Sequence, residues 1–162
     1  MTETQWKPLA GVDRECFACG WENPYGLQMT FESNGEQLRS GLTVKERFRG
    51  WSNLVHGGIL STILDEMMSW TAIHLTQRFI LTKGMNVSFK KPVKIETPLI
   101  ISGYIKERIS DRKARVVAEI RDEAGDVCAL SEGEFVLFTM EEFGSMGVMP
   151  EEELTEMAAA FS

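Results

Sequence analysis

Asp65 and Glu66 stand side by side in a stretch, 55–74, that is otherwise dominated by Ile59, Leu60, Ile63, Leu64, Met67, Met68, Trp70, Ala72 and Ile73. A helix that is apolar nearly all the way round is a buried helix. An acid is seldom buried there without a partner or a task. Ser61, Asp65 and Ser69 recur every fourth residue, so they share one helical face, with Thr62 beside them. The spacing predicts a narrow polar stripe with a carboxylate at its centre. Such a carboxylate, held in a cleft, can take a proton from water or attack an electrophilic carbon itself. The plain alternative is a stripe that faces bulk water.

His56-Gly57-Gly58 leads into this stretch. His56 is expected to set the turn by a hydrogen bond. His74 falls at the far end, where a histidine favours the helix dipole. No Ser–His–acid arrangement is visible, which disfavours a serine hydrolase.

Other chemistry-bearing residues cluster in two places. Cys16-Phe17-Ala18-Cys19 is a CxxC, with Cys128 as the third cysteine. Zinc would need two more ligands, and there is no second CxxC and no HxxxH. Structural thiols are therefore the first reading, ahead of zinc and of a disulfide, and no metal is expected. Arg78, Lys83, Lys90, Lys91 and Lys94 form a basic run relieved only by Glu96. This is either a solvated strand edge or a clamp for phosphates. Arg47 and Arg49 are a second candidate clamp.

The elements that must position these groups follow from periodicity. Residues 1–15 read as irregular. Leu27, Met29 and Phe31 alternate with polar neighbours as in a half-buried strand, Asn34-Gly35 turns the chain, and a return strand carries Leu38, Leu42 and Val44. After the helix come strands at about 79–91, 98–108, 113–121 and 127–140. The third is the clearest, with Ala114, Val116, Ala118 and Ile120 alternating with mostly charged residues. A short acidic helix is expected after Pro150, with Leu154, Met157, Ala158 and Phe161 on one side. The order β-β-α-β-β-β-β predicts an α+β fold, an antiparallel sheet of about six strands curled around one long helix. The expected organisation is an irregular segment 1–15, one domain 16–140 and an acidic tail 141–162.

Composition narrows the classes. A chain of 162 residues with 43% apolar residues suits one soluble domain. No run nears the ~20 apolar residues of a membrane span. The first residues carry no greasy segment, so a cytoplasmic protein is expected. The net charge of −7 is uneven: every Lys and Arg lies within the first 121 residues, and eleven acids follow them. The basic residues form no dense, aromatic-studded patch, so neither nucleic acid nor membrane is an expected partner.

His56-Gly57-Gly58, with Asp65 nine residues after the histidine, resembles the PaaI-like acyl-CoA thioesterases of the 4-hydroxybenzoyl-CoA thioesterase superfamily, whose fold is the hotdog. Met85 to Pro92 resembles the family's next strand. Cys16 to Gly20 with Asn23-Pro24-Tyr25-Gly26-Leu27 resembles a preamble of one branch. The resemblance implies that Asp65 is general base or nucleophile, that the Gly57 N–H faces the carbonyl oxygen, and that His56 shapes the turn. Gly58, Asn53, Ser61, Ser69, Lys90 and Lys91 are the expected substrate contacts. The chain departs from the family pattern at Gly50, where an Asn is common and which Asn53 would replace, and at Lys91, where a Ser is common. Acyl-CoA is the implied substrate, and no separate cofactor is expected.

This chemistry sets a geometric condition. Gly57 and Asp65 lie about 12 Å apart along one helix, too far for both to reach one thioester carbon. A two-fold dimer that sets the Gly57 end of one helix beside Asp65 of the other solves this. The expectation is a homodimer with two composite sites, with a tetramer left open. An enoyl-CoA hydratase is disfavoured, because no aspartate is followed five residues later by a histidine. A non-catalytic acyl-CoA sensor is the alternative of a different class.

Overall fold

In a computed structural model that describes residues 4–161, the apolar stretch forms one unbroken helix, α1, Gly57–Thr76. Leu60, Ile63, Leu64, Met67, Met68, Trp70, Thr71 and Ala72 are buried along it. It stops at Gln77, whose backbone turns left-handed at φ 57° while its N–H donates to the Ile73 carbonyl.

The strands are β1 (Lys7–Pro8), β2 (Glu32–Ser33), β3 (Gln37–Thr43), β4 (Phe79–Phe89), β5 (Pro98–Ser110), β6 (Lys113–Arg121) and β7 (Val127–Phe138). They make one antiparallel sheet in the order β1-β2-β3-β5-β6-β7-β4. Ala114, Val116, Ala118 and Ile120 of β6 all turn inward, as their alternation requires. Helix α1 touches β3, β4, β5, β6 and β7, so the sheet wraps it. This is the α+β hotdog architecture that the resemblance implies. β4 ends the sheet: β7 pairs along one of its edges, and no strand among the described residues pairs along the other.

Glycines let the helix lie close on the sheet. A Cβ on Gly103 of β5 would sit 2.4 Å from Thr71 Oγ1 and 2.9 Å from Met67 Cγ. One on Gly133 of β7 would sit 3.3 Å from Met68 Cε. Thr71 cannot swing clear without cost, because its hydroxyl donates to the Met67 carbonyl at 2.7 Å in a buried place. Gly103→Ala is therefore an overpacking change. It is expected to destabilise the fold by about 1–3 kcal/mol, seen as a lower urea midpoint with an unchanged m-value.

Three segments differ from expectation. Residues 27–31 bury Leu27, Met29 and Phe31 as their alternation demands, yet the ladder reaches only Glu32–Ser33. Gln28 is the reason: its φ of 52° breaks the extended run. Leu27 and Met29 donate instead to the Phe17 and Ala18 carbonyls, both at 2.9 Å, which docks the preamble. Lys7–Pro8, within the stretch read as irregular, pairs with β2. The last strand stops at Phe138, and Met140–Ser145 forms a short helix, α2. Thr139 caps it in a reciprocal box with Glu142, a T-x-x-E signal that the sequence carries. The acidic helix is α3, Glu151–Ala160, with Pro150 at its N-cap. Leu154 and Phe161 are buried there against Phe79 and Phe143.

Candidate active site

The polar stripe of α1 emerges beside the open edge of the sheet. Ser61, Thr62, Asp65 and Ser69 are all half-buried. Thr82 of β4 donates its hydroxyl to Asp65 Oδ1 at 2.9 Å. Burial raises the Asp65 pKa above its usual value, and the Thr82 hydrogen bond draws it partly back. Asp65 is thus neither lost in the core nor loose in water. Ser61 and Thr62 turn their hydroxyls onto the Gly57 and Gly58 carbonyls, each at 2.9 Å.

The helix start is prepared by its own sequence. His56 is the N-cap, and its Nδ1 accepts from the Gly58 N–H at 2.9 Å. Its ring proton therefore resides on Nε2. The Ile59 and Leu60 N–H groups donate to the His56 carbonyl. Among the described residues the Gly57 N–H has no acceptor, and it lies at an exposed turn. A helix start with a spare N–H and a positive dipole end suits a developing negative charge. A Cβ on Gly58 would come to 3.0 Å from His56 Nδ1, so the capping imidazole would have to give by a few tenths of an ångström. Gly57 lies beside the Phe89 ring, 3.6 Å from where its own Cβ would be.

The other expected contacts are scattered. Asn53 sits in the exposed 51–53 turn before α1, and its carbonyl accepts from Ile95 at 2.9 Å. Lys91 is committed to a local cluster, with Nζ 2.5 Å from Asp122 and 3.0 Å from Asp126. Those carboxylates hold its pKa above the usual range. Lys90 is exposed and, among the described residues, forms no ion pair. Arg47 donates to the Gly26 carbonyl and Arg49 to that of Ser52. Lys83 pairs with Glu134, so of the basic run Arg78, Lys90 and Lys94 form no ion pair among the described residues. His74 is in the last turn of α1, and burial lowers its pKa.

Glu66 belongs to a different place. It points away from the stripe toward the preamble, where Trp70 Nε1 donates to its Oε1 at 3.1 Å and Cys16 Sγ lies 3.8 Å off. Burial raises its pKa to about 7, and the neighbouring Cys16 adds to that. Cys19 donates to Cys16, which lowers the Cys16 pKa to about 6 and raises that of Cys19. The sequence marked all three residues as notable. Spacing alone could not join a CxxC to an acid about fifty positions away.

A sheet curled round one helix, with an acid at mid-helix and a free N–H at its start, defines a hotdog-fold domain. Residues 52–129 match the model of the thioesterase superfamily. The acyl-coenzyme A thioesterase THEM4 of Bos taurus is 22% identical over 109 residues, 66% of this chain and 44% of that protein. The crystal structure of a thioesterase superfamily protein is 27% identical, with a TM-score of 0.70 over 78% of this chain and 62% of that one. The PaaI protein of E. coli, from the phenylacetic acid degradation operon, has the same fold at 16% identity, with a TM-score of 0.64 over 73% of this chain and 87% of that one. The chain thus spans less than half the length of the bovine relative and under two thirds of the first of these two structures. Among the described residues no helix is long and apolar enough to cross a membrane.

Proposed function

We propose that this protein hydrolyses an acyl-CoA thioester to the free acid and CoA, and does so as a homodimer. The observation that carries this is the pairing, on one unbroken helix, of a half-buried Asp65 held by Thr82 with an unpartnered Gly57 N–H eight residues before it. Asp65 takes a proton from a water whose oxygen attacks the thioester carbon, or attacks that carbon itself to give a mixed anhydride that water then opens to the free acid and the regenerated carboxylate. The carbonyl oxygen becomes an oxyanion under the Gly57 N–H. The C–S bond breaks, CoA leaves as thiolate, and a proton returns to the sulfur. Ser61 and Ser69 flank the acid, and Lys90 lies free for a CoA phosphate. The match to the thioesterase superfamily and the acyl-coenzyme A in the bovine relative's name support the substrate class.

The dimer follows from two features. Gly57 and Asp65 cannot serve the same carbon from one straight helix. The open edge of β4 lies beside the stripe, because Thr82 belongs to that strand, and it carries Leu81 42% and Phe89 55% exposed. A long unpaired edge with apolar side chains is a surface that proteins cover. A second copy laid along it would bring its own Gly57 turn to Asp65.

Thiol release from a panel of acyl-CoAs is the direct test. Turnover of at least one acyl group supports the reading, and stoichiometric binding without thiol release overturns it in favour of a sensor. A pH profile adds a finer check. Activity needs ionised Asp65, so kcat/KM should rise with pH through a midpoint above the ordinary aspartate value. Thr82→Val removes the hydrogen bond that lowers that pKa. The acidic limb should then move to higher pH, with the alkaline plateau less affected.

A further inference from the structure

A neighbouring face of α1, about 100° round from Asp65, holds a second cluster that the hydrolysis does not use. Cys16, Cys19 and Glu66 bring two sulfurs and a carboxylate oxygen within 4.8 Å of one another. Three features of this cluster point to a ligand. First, the edge is the right length. Zinc–sulfur bonds of about 2.3 Å and zinc–oxygen bonds of about 2.1 Å in a tetrahedron give ligand-to-ligand edges of about 3.6–3.8 Å. Cys16 Sγ and Glu66 Oε1 are 3.8 Å apart, long for a hydrogen bond and apt for such an edge. Second, the loop is shaped around Cys16. Gly20 N–H closes the turn on the Cys16 carbonyl at 2.8 Å. A Cβ on Gly20 would fall 2.5 Å from Cys16 backbone atoms, so the turn requires glycine. Third, Glu66 is inward-facing and, among the described residues, has no Lys, Arg or His ion-pair partner. A buried acid without a cation is costly unless one is supplied.

We propose that Cys16, Cys19 and Glu66 are the protein ligands of a thiophilic divalent cation, zinc first among them. The fourth position opens outward. Cys16 also lines a surface cleft with Asp13, Arg14, Glu15, Trp21, Glu153 and Glu156, whose acids favour a cation and whose openness admits a water. Trp70 orients the carboxylate through its Nε1–H, as the outer partners of metal ligands do. The ion would fasten the preamble to the central helix. This inference stands apart from the thioesterase reading, because neither Asp65 nor Gly57 belongs to the cluster.

The test uses the full chain, stripped with chelator and reduced. Zinc chloride should load one ion per chain after desalting, and magnesium none. Cobalt in its place should give thiolate-to-cobalt charge-transfer absorption. Cys16→Ser/Cys19→Ser should lose both signals, while Cys128→Ser keeps them. Glu66→Gln should weaken binding by at least the roughly 10–100-fold typical of lost outer partners. Wild-type protein gives a check that no folding defect can confuse: zinc should slow alkylation of Cys16 and Cys19, read by peptide mass spectrometry, and leave Cys128 unchanged. Equal alkylation with and without zinc overturns the proposal. So does zinc loading by the double-serine variant equal to wild type, or a Cys16–Cys19 disulfide that forms in air and persists in the presence of zinc.

Discussion

Asp65→Asn is expected to lower kcat for acyl-CoA hydrolysis by roughly 10²–10⁴-fold, the range for loss of a positioned acid–base group. The substitution is nearly isosteric. Its side-chain oxygen still accepts from the Thr82 hydroxyl that holds Asp65 Oδ1 at 2.9 Å. What disappears is the charge, and with it the ability to take a proton or to attack. Stability should not suffer. Burial already raises the aspartate pKa, so a permanently neutral group relieves a cost instead of adding one. A raised native pKa also means that Asp65 favours the fold at low pH and that this contribution is lost as pH rises through its native pKa. The asparagine variant should lack that pH dependence. Thiol release and thermal melts check the two halves separately. A variant that hydrolyses acyl-CoA at the wild-type rate would remove Asp65 from the chemistry. In a productive wild-type protein, a single turnover in 18O water would label the Asp65 carboxylate only if the acid attacks directly.

Gly57→Pro should cost about 10²–10³ in kcat by deleting one oxyanion donor. The backbone is ready for it. Gly57 is the first residue of α1, where proline is favoured. His56 before it sits at φ −60° and ψ 134°, a conformation that a following proline prefers. A Cβ there meets only ordinary van der Waals contact, with Phe89 at 3.6 Å. Only the N–H is lost. Mixing this variant with Asp65→Asn then tests where the site lies. If each site takes Gly57 from one subunit and Asp65 from the other, a mixed dimer owns one intact site. Random exchange of equal amounts should restore about a quarter of wild-type activity from two nearly dead proteins. If both groups act within one chain, exchange restores nothing, and the composite site is wrong. Sedimentation of each variant as a dimer would complete the reading.

The central helix and the inner face of β6 were legible because their patterns are long and tied to burial. Ala114, Val116, Ala118 and Ile120 could only face one way. The stripe was legible for the same reason, since Ser61, Asp65 and Ser69 repeat at the helical period. Alternation reports burial more faithfully than pairing, as residues 27–31 show: their apolar side chains go inward while Gln28 breaks the ladder. Helix α2 could have been found from Thr139 and Glu142, but the apolar run before it reads as continuing strand. The tertiary partners were not legible. Nothing local in the sequence ties Thr82 to Asp65, Cys16 to Glu66, or Lys91 to Asp122 and Asp126. Those pairs arise from the tertiary fold, and they decide which charged groups stay free.

The bare backbones of Gly103 and Gly133 under α1 fix more than its depth. Consecutive residues on a helix diverge by about 100°, so the rod's rotational bearing decides where each of two adjacent acids is sent. Met67, Met68 and Thr71 are keyed to those two hollows, and that keying delivers Asp65 to Thr82 on the open β4 edge while Glu66 goes to the sulfur-bearing loop. A quarter-turn slip would take Asp65 off Thr82 and Glu66 off the sulfur-bearing loop. Two missing methyl groups in the sheet thus act as a compass for chemistry that neither of them touches.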